Sequence, residues 1–260
     1  MNDKFKKWAL VTGGAKRIGA TIAETLHNNG FNVAIHYNSS SDSAEQLCAQ
    51  FNAKKQDSSI AIGADLLDQS SLENLIPSLI EKTKRLDVLV NNASTFYPTP
   101  IEKIALEDWE NLFGTNLKAP LFLSKYAAKY LQQSRGTIIN IIDIHSKKPL
   151  KDHPIYGSAK SGLAMLTRSL ASDLAPNVRV NGISPGLILW PENNPSDQVK
   201  NNILQQIPLK KIGTSEDIAN CVLFLIEDAP YITGEIIAVD GGRSIDRKST
   251  RLNSSHVLIS

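Results

Sequence analysis

Trp8-Ala9-Leu10-Val11-Thr12-Gly13-Gly14-Ala15-Lys16-Arg17-Ile18-Gly19 is the stretch that decides the fold. Its first four residues are apolar without alternation, as expected of a strand buried on both faces of a parallel sheet. The glycines that follow let the chain turn sharply and let a ligand come close to the backbone. Ile18, Ile22 and Leu26 then repeat every four residues, the stripe of an amphipathic helix, and Gly30 stands where that helix would stop. Strand, glycine turn and helix in this order aim backbone amides and the positive end of a helix dipole at one point. That arrangement suits a pyrophosphate. The spacing is not G-x-G-x-x-G, and such a turn can also be purely structural; its place directly after the first strand favours a nucleotide.

The rest of the chain repeats the alternation. Val33–Ile35, Ile60–Ile62, Leu86–Val90, Thr137–Ile142, Val178–Ile183 and Ile236–Val239 read as further strands, with helical patterns between them. Asn111–Leu131 and Ile155–Leu174 are the longest of these helical stretches. The expected fold is α/β: one doubly wound Rossmann-type parallel sheet with helices on both faces. No internal repeat, low-complexity linker or composition break interrupts it, so residues 1–246 are expected to form one domain. The polar stretch 247–260 is expected to be a disordered or foreign C-terminal tail.

Composition narrows the function classes. The 260 residues are 42% hydrophobic and 21% charged, with a net charge of +2. Setting aside the four basic residues and one acid from Arg243 onward leaves 24 basic against 25 acidic residues. A near-neutral body argues against nucleic-acid and membrane-surface partners. Cys48 and Cys221 lack metal-ligand spacing and read as reduced cysteines within helices. No apolar signal segment opens the chain and no run of 18 apolar residues could span a bilayer, so a cytoplasmic location is expected.

A second informative stretch is Asp143–Lys160, DIHSKKPLKDHPIYGSAK. Tyr156 and Lys160 fall four residues apart just after a proline that suits a helix start, and so share one helix face. A free tyrosine, with a pKa of about 10, is a poor acid at neutral pH. A nearby lysine cation is expected to lower that value and make the phenol a usable proton donor. Alone, the pair also occurs on ordinary solvated helices.

Taken together, Thr12-Gly13-x-x-x-x-x-Gly19, Asn91-Asn92-Ala93, Asn116, Tyr156-x-x-x-Lys160 and Ser184-Pro185-Gly186 follow in order at the separations of the short-chain dehydrogenase/reductases. The chain resembles that family from about Trp8 to Gly242. Within it, the chain is most similar to the pteridine reductases: Arg17 stands where the first motif usually has its second glycine, and Asn91–Pro100 and Pro185-Gly186-Leu187 are also similar. The resemblance implies that Asn116 helps hold the helix and water that feed protons towards Lys160. Lys160 would also bind the nicotinamide ribose. Gly13, Lys16, Arg17, Ile18, Asn92, Ala93, Pro185 and Gly186 would line the cofactor. Asp65 and Leu66 would contact the adenine, although Asp65 could equally be a loop or capping acid. A substrate ring would meet Arg17, Ser94, Phe96, Asp143, Tyr156 and Leu187, with Phe96 as the stacking face, beneath an irregular loop at Trp190–Pro195. The resemblance also implies a homotetramer packed through the two long helices.

Asp143 departs from most of the family, which places a serine thirteen residues before the tyrosine. A carboxylate repels a developing alkoxide but suits an N–H-bearing or protonated ring. Ser146 could be a displaced substitute, and the flanking His145 and His153 are given no catalytic role. NAD-specific sheets usually carry an acid at the end of the second strand. Here the chain reads His36-Tyr37-Asn38-Ser39-Ser40, with no acid before Asp42. Tyr37, Asn38, Ser39 and Ser40 can donate to a 2′-phosphate, and Arg17 or Lys16 can neutralise it, so the expected cofactor is NADPH. The expectation is therefore an NADPH-dependent reductase of pterin or folate C=N bonds, with no metal. The alternatives are a 3-oxoacyl-type carbonyl reductase and a non-enzymatic dinucleotide sensor.

Overall fold

The computed structural model describes residues 7–190 and 196–245. The expectations for 247–260 and for most of the Trp190–Pro195 loop lie outside those residues. Among the described residues, seven strands form one parallel sheet in the order β3-β2-β1-β4-β5-β6-β7. They are β1 (Trp8–Val11), β2 (Asn32–Tyr37), β3 (Ser59–Gly63), β4 (Val88–Asn91), β5 (Thr137–Ile141), β6 (Arg179–Pro185) and β7 (Ile236–Val239). The order reverses between β1 and β4, and at such a point the carboxyl ends of neighbouring strands open a crevice for ligands.

Unalternating strands are explained by burial on both faces. Ala9, Val11, Val33, Ile35, Val88, Val90 and Ile139 pack on one side against α1 (Arg17–Asn28), α2 (Ser41–Lys54) and α8 (Ser215–Glu227). Leu10, Ala34, Leu89, Ile138 and Val180 pack on the other against α3 (Gln69–Thr83) and α5 (Ala119–Ser134). The amphipathic stripe of α1 is as expected: Ile22 and Leu26 are fully buried. Gly30 follows the helix at φ +92, a left-handed conformation that costs glycine little.

The expected helix at Asn111–Leu131 is broken into pieces. The chain runs through α4 (Leu106–Phe113), a π-helical turn at Gly114–Lys118, and only then α5. Pro120 has no N–H to donate, and in a regular helix its ring would collide with the carbonyl of residue 116. The wider turn relieves that conflict, and such turns cluster at functional sites. Next come α6 (Pro154–Asp173), which starts on its proline, and α7 (Asp197–Gln206). Among the described residues, no helix is long and apolar enough to cross a membrane.

Candidate active site

The carboxyl ends of β1, β4, β5 and β6 open into a cavity of about 470 Å³. Gly13, Lys16, Arg17, Ile18, Asn92 and Ala93 form one side, and Ser94, Phe96, Asp143, Tyr156, Lys160, Pro185, Gly186 and Leu187 complete it. A second cavity of about 250 Å³ shares Gly13, Ala93 and Ser94 with the first and is walled further by His36, Asn38, Asp65 and Leu66. Residues drawn from distant parts of the chain thus line one pair of adjoining cavities. Tyr37, Ser39 and Ser40 sit at the end of β2 and the start of α2, outside both walls. Asp65 also accepts a hydrogen bond from the Leu67 amide at 2.9 Å, so it is a loop acid as well as a wall residue.

Side chains stitch the glycine turn together. Thr12 Oγ1 accepts from the amides of Asn92 and Ala93 at 2.9 and 3.0 Å, and Asn92 Nδ2 donates to the Thr12 and Gly13 carbonyls at 2.9 and 3.1 Å. A Cβ at Gly19 would collide with the Gly13 carbonyl oxygen, so helix α1 can enter only through a glycine. Arg17 begins that helix at φ +52, a conformation most residues avoid at a cost of about 1–2 kcal/mol. A left-handed arginine on a cavity wall is strain kept at a site. The open cradle, with a helix N-terminus behind it and Lys16 and Arg17 exposed beside it, fits the diphosphate of a dinucleotide.

His36 has a place that the sequence reading missed. The Gly13 amide donates to its Nδ1 at 3.1 Å, so the proton of the neutral ring sits on Nε2, which donates to the Ala64 carbonyl at 3.0 Å. One buried imidazole therefore ties the glycine turn to the chain just before Asp65. Burial holds its pKa down at about 4, outweighing the Ala64 bond, which acts the other way.

At the other end of the cavity the Tyr156 hydroxyl donates to Asp143 Oδ2 at 2.8 Å. Asp143 Oδ1 accepts from the His145 amide at 2.8 Å, which fixes the carboxylate. The expected lowering of the phenol pKa by lysine is overturned. Burial first, then the charge of Asp143 and the bond to it, push Tyr156 well above its ordinary value, with Ser94 pulling weakly the other way. Lys160 Nζ donates to the Ile141 carbonyl at 3.0 Å and lies 5.8 Å from the Tyr156 ring centroid. Its own pKa falls to about 8, through burial, with Asp143 opposing.

Asn116 is fully buried in the π-helical turn, behind the cavity rather than on its wall. Its Nδ2 donates to the Thr95 and Leu112 carbonyls, and its Oδ1 accepts from Ser94 Oγ at 2.7 Å. It therefore reaches Tyr156 through Ser94, while Lys160 bonds elsewhere. Ser146 lies off the cavity wall, and its Oγ has no hydrogen-bond partner among the described residues. Phe96 is on the wall, and its ring stacks on His153, a flanking residue given no catalytic role from sequence.

Comparison with known proteins agrees with this geometry. The family described as enoyl-(acyl carrier protein) reductase matches residues 13–244. The chain is 38% identical to pteridine reductase 1 of Leishmania tarentolae, across 92% of this chain and 96% of that protein. It is 37% identical to the 3-oxoacyl-[acyl-carrier-protein] reductase FabG of Staphylococcus epidermidis, across 92% and 99%. The corresponding reductase of Synechocystis is 35% identical, across 90% and 95%. With its parallel sheet, its glycine turn and its tyrosine and lysine on one helix face, the chain belongs to the short-chain dehydrogenase/reductase family.

Proposed function

We propose that the protein is an NADPH-dependent reductase of pteridine C=N bonds, acting on a dihydropterin or a dihydrofolate. The observation that carries this reading is the Asp143 carboxylate, held 2.8 Å from the Tyr156 hydroxyl where a ketone reductase needs a neutral donor. A developing alkoxide beside Asp143 would meet a negative charge. A ring nitrogen that must gain a proton meets instead an acceptor for its N–H and a protonated phenol. The raised pKa of Tyr156 keeps that phenol protonated, as a hydrogen-bond donor, across the working pH range.

When bound, the reduced nicotinamide supplies the hydride. Lys160, behind Tyr156, would hold its ribose, and Pro185 and Gly186 would flank it on the cavity wall. Asp143 and Tyr156 handle the proton at the ring nitrogen, Phe96 offers a stacking face, and Arg17 meets the polar edge. Asn38, Ser39, Ser40 and Tyr37, at the N-terminus of α2 with no acid among them, support a 2′-phosphate and hence NADPH. Exposed Leu106, Trp109, Leu121 and Met165, on α4, α5 and α6, support assembly as a homotetramer, which the mass in solution checks.

A 3-oxoacyl-type carbonyl reductase is the second reading, supported by the comparable identity to the 3-oxoacyl-[acyl-carrier-protein] reductases. NADPH oxidation measured against a panel of dihydropterins, dihydrofolate and β-ketoacyl esters separates the two. Turnover confined to the pteridines supports the first reading, and turnover confined to the esters replaces it with the second.

A further inference from the structure

Phe96 is 55% exposed, yet its ring is held from two sides. The imidazole of His153 lies nearly parallel to it, with centroids 4.7 Å apart and planes 14° from one another. The Tyr156 ring meets it nearly at right angles, at 4.8 Å and 79°. His153 is itself tied down within its own loop. Its Nδ1 lies 2.7 Å from the Lys151 carbonyl, so Nδ1 carries the proton and donates it. Its Nε2 is buried with no hydrogen-bond partner among the described residues, so no other polar tie competes with the stack in setting the ring plane. The backbones run together as well. The Thr99 amide donates to the Asp152 carbonyl at 2.6 Å, and Thr99 is only 2% exposed. The Ser94–Pro100 segment and the loop leading into α6 thus form a joined wall, with His153 and Phe96 as its aromatic contact.

We propose that His153 is a positioning residue for the substrate: by stacking on Phe96 it sets the plane against which a flat heterocycle packs above Tyr156 and Asp143. The inference rests on the pteridine reading, because only a planar ring uses that plane. An acyl chain passing the same wall is indifferent to the tilt of Phe96. Aromatic stacking of this kind is worth about three- to tenfold in an equilibrium constant.

Three variants separate the stack from the tie to Lys151. His153→Ala removes both, His153→Asn keeps a side-chain donor without the ring, and His153→Phe keeps the ring without the donor. The readouts are KM and kcat for dihydrobiopterin, the Kd of oxidised biopterin for the NADP-loaded protein, and the Kd of NADPH. For His153→Ala and His153→Asn, KM and the biopterin Kd should rise about three- to tenfold, while kcat and the NADPH Kd stay within about twofold. His153→Phe should return both values to within about twofold of the parent. Unchanged biopterin affinity in His153→Ala overturns the proposal, as does rescue by asparagine in place of phenylalanine. If the parent neither binds nor turns over any pterin, the pteridine reading falls and the role of His153 falls with it.

Discussion

Replacing Lys160 by methionine should change how stability depends on pH, by an amount that follows from the burial of its ammonium group. Lys160 is 2% exposed and its pKa drops from an ordinary 10.5 to about 8. The unfolded chain therefore binds the proton more tightly than the folded one. Above about pH 10.5 neither state is charged and there is no penalty. As pH falls through that window towards 8, the folded state is increasingly disfavoured. Below 8 the full penalty is present, about 3 kcal/mol at pH 7. At pH 10 it has shrunk to just under 1 kcal/mol, so the change between the two pH values is roughly 2.5 kcal/mol. Methionine keeps the volume but carries no charge, and it leaves the Ile141 carbonyl without its donor, which costs about 1–3 kcal/mol at any pH. That offset shifts the difference between the two proteins without tilting it. Urea unfolding of parent and Lys160→Met at pH 7, 8, 9 and 10, without cofactor, isolates the slope. Relative to the variant, the parent should gain roughly 2.5 kcal/mol from pH 7 to 10. A difference that stays flat across the range refutes the claim that Lys160 sits desolvated against the Ile141 carbonyl.

Further expectations follow from the cofactor end of the cavity. His36 binds its proton in the folded state only near pH 4, against about 6.5 when unfolded, so its contribution is fully present above 6.5 and is lost as pH falls towards 4. Relative to His36→Asn, the parent should lose roughly 2.5 kcal/mol of stability between pH 7 and 4.5, measured by urea unfolding. Arg17→Ala should weaken NADPH binding about ten- to hundredfold and NADH binding less, since a charge-assisted bond to phosphate is worth about 1.5–3 kcal/mol. Equal losses for both cofactors, measured by titration calorimetry, would remove Arg17 from the 2′-phosphate. Gly19→Ala should abolish dinucleotide binding, because its methyl collides with the Gly13 carbonyl; retained affinity would show that the turn can open.

The fold was readable because burial on both faces leaves a direct mark: seven unalternating apolar runs separated by helical stripes. Tyr156, Lys160 and the glycine turn were readable too, because helix spacing and strand–turn–helix order fix who can meet whom. What escaped the reading lies in contacts across loops. His36 was noticed only as a missing acid, since nothing in sequence tells that its ring spans Gly13 and Ala64. His153 looked like any loop histidine until the loop folded it onto Phe96. The direction of the Tyr156 pKa escaped the reading because the phenol is buried and donates a hydrogen bond to the acid thirteen residues back, while the lysine four residues on bonds to a strand carbonyl. Pro120, nine residues inside the expected Asn111–Leu131 helix, is the residue that carries the signal for its break.

If Asp143 suits the cavity to a pteridine rather than a ketone, replacing it should shift turnover between the two substrates. The most direct test is kcat/KM for dihydrobiopterin and for an acetoacetyl ester, in the parent and in Asp143→Ser. A positioned acid–base group is worth about 10²–10⁴-fold in rate, so the variant should lose pterin turnover on that order while NADPH affinity holds and ester reduction stays level or rises. A parent that reduces the ester well and ignores every pterin would make the protein a ketone reductase instead.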